Sequence, residues 1–203
     1  MPLPLLWVGA AVLSAVAVSE INENRKSAEK RRFSSNEVRK RKTQPQSGHS
    51  RHHSGVEKFP SEVFSTTTLA QVKPGAIVCC GLGGVLEHTG ILVDDATIVE
   101  LHGSGLIRAV SPMRFLANRS GKEIFVACDS HAKALGNMAI ATRAINQIYQ
   151  YQKYDLFKNN CHRFAWQCIS GEPQTLTTFH QLNQLVSTYF DRQIYWDKWQ
   201  FSP

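Results

Sequence analysis

Residues 87–102 read EHTGILVDDATIVELH, and the fold of the chain turns on whether this stretch is a hairpin. The β-rich runs HTGILV and TIVELH flank Asp94-Asp95-Ala96, a composition that reverses direction between strands. With a three-residue loop, Val93 pairs with Thr97, and counting back sets Gly90 opposite Glu100 and His88 opposite His102. Side chains alternate along a strand, so Thr89, Ile91, Val93, Val99 and Leu101 line one face, the better core, while His88, Glu100 and His102 share the other. Diagonal neighbours on such a face lie about 7 to 8 Å apart, within reach of long side chains. A two-residue loop would break the arrangement. Three ionisable groups on one strand face have two readings, an exposed polar surface or a reactive site.

Upstream, the turn Lys73-Pro74-Gly75 leads into AIVCC, a short apolar strand, and the glycine-rich CGLGGV. The latter lacks the Lys-Ser/Thr ending of a phosphate loop and reads as a border of the cleft before His88. Downstream, Gly103-Ser104-Gly105 turns into LIRAV, Ser111 and Pro112 start a helix to about Asn118, and EIFVAC forms another strand. The pattern then becomes helical at about 134–151, 160–169 and 175–189, the second of these ended by Gly171. Strands cluster early and helices late, which is the order of an α+β domain.

The helix of residues 160–169 opens with NNCHRFAWQC. Cys161, Phe164, Ala165, Cys168 and Ile169 follow helical spacing, so Cys161 reads as the first residue of a core stripe, where free cysteines often reside. Its position supports a second reading. With Asn160 as N-cap, Cys161 sits in the first turn, where unpaired N–H groups and the helix dipole favour thiolate and could hold an oxyanion. His162 lies about 100° further round the helix and receives no role.

The hairpin and this helix together resemble the lecithin:retinol acyltransferase-like (LRAT-domain) family of permuted papain-like thiol enzymes, in which histidine precedes cysteine. The similarity runs from about Val72 to Gly171 and includes the H-x-G-I-x-V strand, its partner and the N-C-x-x-F-A helix. It implies an antiparallel sheet packed against helices, with Cys161 as nucleophile and His88 as general base. The third, orienting residue falls twelve positions after the first histidine; many members have histidine there, whereas this chain has Glu100, with His102 two residues on. A carboxylate could hold and stabilise the imidazole as in other triads, whereas His102 would need a neutral tautomer to do so. Glu100 stands slightly ahead.

The resemblance further implies acyl transfer or hydrolysis on lipid acyl esters through a Cys161 thioester, with no cofactor and no metal. A cysteine peptidase or amidase on the same fold is the rival enzyme reading. A non-catalytic, membrane-tethered interaction module is the third.

Residues 1–20 carry an apolar run from Leu3 to Val18, near the lower length of a membrane span of roughly 17 to 25 residues. Ala15-Val16-Ala17 also fits a signal-peptide cleavage site, but no basic residue precedes the run. From Glu20 to Lys58 there are 11 Lys/Arg against 5 Asp/Glu, which places +6 of the chain's +7 directly after it. That asymmetry favours an uncleaved single-pass anchor over 1–20, with the remainder on the cytoplasmic side. Residues 21–58 read as a basic flexible linker facing anionic lipid. Residues 59–190 form the catalytic domain, and 191–203 an aromatic tail that packs on the domain or touches the interface.

From Phe59 onward the net charge is only +1, which leaves no footprint for nucleic acid. His49, His52 and His53 read as polar spacers in the linker, and His131 and His180 as structural. Five cysteines without a CxxC pair suggest neither a disulfide framework nor a zinc site, and free thiols fit a reducing compartment. Cys79, Cys80, Cys128 and Cys168 read as core thiols.

Overall fold

The stretch from Glu87 to His102 folds as a hairpin. In the computed structural model, which describes residues 69–82, 86–119 and 121–201, strand β2 (Leu86–Leu92) pairs antiparallel with β3 (Ile98–Leu101), Ile91 against Val99 and Leu92 against Ile98. This is the register expected from a three-residue loop. The Val93 N–H donates to the Thr97 carbonyl at 2.9 Å, and Asp94 Oδ1 accepts from the Ala96 N–H at 2.9 Å. The aspartate thus satisfies the backbone of the turn itself.

Around the hairpin, β1 (Ile77–Leu82), β4 (Ile107–Val110), β5 (Phe125–Cys128) and β6 (Tyr195–Lys198) complete a six-stranded sheet in the order β4-β3-β2-β1-β5-β6. Every neighbouring pair is antiparallel. Helices α1 (Pro112–Leu116), α2 (Met138–Ile145), α3 (Cys161–Ser170) and α4 (Phe179–Phe190) fill the later connections, so the domain is α+β.

Both sheet faces are covered. Ile77, Cys79, Ile91, Val93, Val99 and Leu101 pack against α2, α3 and α4. On the other face Val78, Cys80, Leu92 and Ile98 gather with Phe115, Val126 and Trp199. The face bearing His88 and Glu100 is therefore not an exposed polar surface: His88 is 4 % and Glu100 0 % exposed.

Helix α3 is fixed at both ends. Asn160 Oδ1 accepts from the Arg163 N–H at 2.9 Å, while Asn160 Nδ2 donates to the Leu156 and Leu176 carbonyls at 2.8 Å each. At the far end Gly171, with φ 85°, takes the left-handed conformation that ends helices. The Arg143 guanidinium donates to the Cys168 and Ile169 carbonyls at 2.6 and 2.7 Å, groups that a helix leaves without partners.

Other boundaries differ from the sequence pattern. The helical stretch read over 134–151 forms a helix only over Met138–Ile145, because Ala134 is drawn into a bridge with Cys128 and Asn137 caps the helix behind it. Helix α4 begins at Phe179, where Thr178 and Gln181 make a reciprocal capping box. In the segment read only as an aromatic tail, Tyr195–Lys198 is the edge strand β6, and Trp196 and Trp199 are buried.

The membrane anchor (1–20) and the linker (21–58) lie outside the described residues. Among the described residues, no helix is long and apolar enough to cross a membrane.

Candidate active site

Cys161 opens α3 as its first helical residue, 4 % exposed, with its N–H among those that the helix cannot satisfy internally. The thiol and the His88 imidazole are near enough for each to shift the other's proton affinity. The Cys161 Sγ is also 3.9 Å from His162 Nδ1. Burial alone would raise the thiol's pKa, but His162 and His88 outweigh it by charge and hydrogen bonding and hold it well below the ordinary value. For His88, burial works against the charged form, yet the charge of Cys161 and the hydrogen bonds to Cys161 and Glu100 raise its pKa overall. The opposed shifts favour the thiolate and imidazolium forms of the pair.

Glu100 faces His88 directly, with His88 Nε2 2.6 Å from Glu100 Oε2. Burial pushes this carboxyl up, but the His88 hydrogen bond and the charges of His88 and Arg119 bring it down to about 2. An ionised carboxylate only accepts hydrogen bonds, so His88 Nε2 carries the proton in this contact. That leaves Nδ1 as the nitrogen available to the thiol.

Gly90, two residues after His88 on the same strand face, leaves space that Ile98 and the Phe115 ring fill. A Cβ there would sit 2.7 Å from Ile98 Cγ2 and 3.1 Å from Phe115 Cε2. Phe115 is the ring on which His88 packs, with centroids 5.1 Å apart.

Of the residues singled out from sequence, the structure brings Cys161, His88 and Glu100 together and sets His102 apart. The His102 Nδ1 is 2.8 Å from Ser104 Oγ, and the ring is partly exposed beyond the strand end. The alternative of His102 as orienting residue thus has no contact with His88 to support it, because the turn at Gly103–Gly105 draws the side chain to its own loop.

Four further side chains reach the site. His162 is buried, its Nδ1 3.2 Å from Thr89 Oγ1 and its ring 5.7 Å from that of Phe179. The sequence reading gives it no role from its place about 100° round the helix, yet its Nδ1 is 3.9 Å from the Cys161 sulfur and Phe179 at the start of α4 packs on its ring. Tyr154 is a neighbour of Cys161, and burial together with the charge of the thiolate raises its pKa. Arg108 binds Glu100 Oε1 through Nε and Nη2, both at 2.8 Å, and Arg119 Nη2 binds Oε2 at 2.8 Å. An Asn-Cys helix start, or an arginine eight residues beyond a buried glutamate, is too short a signal to find these partners.

The other cysteines are buried and form no disulfide. Burial pushes the Cys80 and Cys168 thiols up to about 12, so neither is poised to react. Among the described residues, no group of three or more His, Cys, Asp or Glu stands together as a metal site.

A family profile described as lecithin retinol acyltransferase matches residues 70–174, just over half of the chain. The match contains every side chain of the site. No curated protein and no solved structure matches the chain.

Proposed function

The chain belongs to the lecithin retinol acyltransferase family, and from that premise we propose that it is a thiol enzyme that moves or hydrolyses the acyl group of lipid esters through Cys161. The observation that carries this reading is the line of Glu100, His88 and Cys161, with a 2.6 Å contact at one end and a thiol of depressed pKa at the other. A nucleophile, a base and an orienter in this order form the covalent-catalysis arrangement of triads.

The Cys161 thiolate attacks the ester carbonyl carbon, and the carbonyl π electrons move onto oxygen. In this reading the oxyanion is received by the Cys161 N–H at the helix start and by the Tyr154 hydroxyl. Collapse of the intermediate expels the alcohol portion, which takes the proton held at His88 Nδ1, and leaves a Cys161 thioester. His88, neutral again, accepts a proton from an incoming alcohol, amine or water as it attacks the thioester. The acyl group departs, and the Cys161 thiolate and protonated His88 return. Throughout, Glu100 keeps the other ring nitrogen protonated and stabilises the imidazolium.

A lipid substrate accords with the family's description and with the basic sequence that follows the apolar segment of residues 1–20. In this proposal that segment is a single-pass anchor with the enzyme domain on the cytoplasmic side, and the linker lies against anionic headgroups.

The test is intact-mass analysis of the full chain after incubation with phosphatidylcholine vesicles and, in parallel, with a peptide library. The expected result is an acyl adduct that is lost on hydroxylamine treatment and is absent in Cys161→Ala. Peptide cleavage without an acyl adduct would assign the site to amide hydrolysis, and neither product would leave a tethered module without catalysis.

A further inference from the structure

We infer that Arg119 is a positioning residue that sets the orientation and proton affinity of His88 through Glu100, a role that deepens the thiol-enzyme reading and rests on it. Four side chains close a ring around this point. His88 Nε2 is 2.6 Å from Glu100 Oε2, and Arg119 Nη2 donates to that same oxygen at 2.8 Å. The Arg119 guanidinium lies 5.0 Å over the Phe115 ring, and Phe115 packs in turn on His88 at 5.1 Å. Arg108, from β4, occupies the other carboxylate oxygen. With one guanidinium on each oxygen, the carboxylate cannot rotate, and His88 is held along one remaining direction of Oε2.

Stability alone does not account for Arg119. Its side chain is 8 % exposed, and its Nη1 is buried without a hydrogen-bond partner. Arg108 already supplies a two-point partner for Glu100. Burying a second cation with an unsatisfied donor is unfavourable, and without Arg119 the Glu100 carboxylate keeps Arg108 and His88 as partners, so its removal leaves no uncompensated charge.

What the second cation adds is electrostatic. Two guanidiniums keep Glu100 ionised and weakly basic, so the shared proton stays on His88 Nε2. The positive charge of Arg119 also lowers the proton affinity of His88, against the upward pull of Cys161 and Glu100. The imidazole is thereby kept able to give up its other proton. The charged and titratable groups around the pair are Cys80 from β1, Glu100 from β3, Arg108 from β4, Arg119 after α1 and Cys161 from α3. His102 lies beyond them, and Tyr154 and His162 face the thiol rather than the pair.

Full-chain Arg119→Met and Arg119→Lys are the variants to compare with the unaltered protein. The readouts are thermal stability, NMR titration of the His88 ring, and the rate of Cys161 acylation by phosphatidylcholine vesicles. Arg119→Met is expected to fold with an unchanged or higher Tm, to move the His88 titration upward by about one pH unit, and to slow acylation roughly tenfold at pH 7. Arg119→Lys, which keeps the charge but not the fork, is expected to restore most of the titration and only part of the rate. Unfolding of Arg119→Met, or a His88 titration identical to that of the unaltered protein, overturns the inference. If the unaltered protein forms no acyl adduct, the enzyme reading fails by itself, while the His88 titration still reports on Arg119.

Discussion

His88 and Glu100 meet across the β2–β3 hairpin at 2.6 Å, twelve residues apart in sequence and both buried. Their contact makes the difference between carboxylate and amide at position 100 measurable. Glu100→Gln is expected to lower the acylation rate about 10³- to 10⁴-fold, because an amide can present its NH₂ to the ring and favour the wrong tautomer. The same change strands two arginines in the interior and is expected to cost about 3–5 kcal/mol of folding stability. His102→Ala, which alters a ring turned toward Ser104, is expected to change either quantity by less than twofold in rate or about 0.5 kcal/mol. Denaturant unfolding and vesicle acylation measured together separate the two positions.

Acid should weaken the fold through the same carboxylate. Its folded pKa of about 2 lies below the ordinary value of 4.5. The stabilisation is therefore present above pH 4.5 and is lost as the pH falls toward 2, amounting to on the order of 3 kcal/mol. Urea midpoints taken between pH 6 and pH 2.5 should fall along this course in the unaltered protein. The fall should be shallower in Glu100→Gln, and parallel curves would remove Glu100 as its source.

Thiol reactivity gives a third measurement. Cys161 should be alkylated by iodoacetamide at pH 6, where the thiols of Cys80 and Cys168, pushed up to about 12, remain intact in the folded chain. His162→Asn removes the larger of the two imidazole contributions that depress the thiol's pKa, and should slow alkylation at pH 6 roughly tenfold. Peptide mapping of the modified protein distinguishes the cysteines, and preferential labelling of Cys80 would contradict the assignment.

Asn160→Ala should destabilise the protein by about 1–3 kcal/mol, since it removes the cap of α3 and the donor shared by the Leu156 and Leu176 carbonyls. Asn160→Asp keeps the cap acceptor but cannot donate, and should fall between the two in thermal unfolding. Equal Tm values for the alanine and aspartate variants would show that the donor alone matters.

Gly90→Ala adds one methyl group against Ile98 and the Phe115 ring. The expected cost is about 1–3 kcal/mol from overpacking. Because Phe115 supports His88, the acylation rate should fall further than the lost stability explains. Rates corrected for the folded fraction test this, and a corrected rate equal to the unaltered one would detach Gly90 from the site.

The hairpin register was legible because it is local: the alternation of β-branched residues and the Asp94 turn both act within sixteen residues. The cap of α3 by Asn160 and its end at Gly171 were legible for the same reason. The contacts of His162 were not legible because a helical wheel describes one helix, and the thiol and Phe179 of α4 meet this ring only in the folded chain. Arg108 and Arg119 reach Glu100 only once β4 pairs with β3 and the chain returns from α1, events that no short pattern encodes. The strand at Tyr195–Lys198 depends on a partner some seventy residues earlier, so its aromatic residues read as a tail.

Helix α3, some 15 Å long by its ten residues, is moored at one end through Asn160 to two loops and at the other through Arg143 to α2. The Cys161 sulfur therefore inherits its coordinates from segments on either side of it in the chain. Transplanting residues 159–171 onto a foreign scaffold would carry over the motif without the geometry around it, and a designer copying this helix must import the moorings as well.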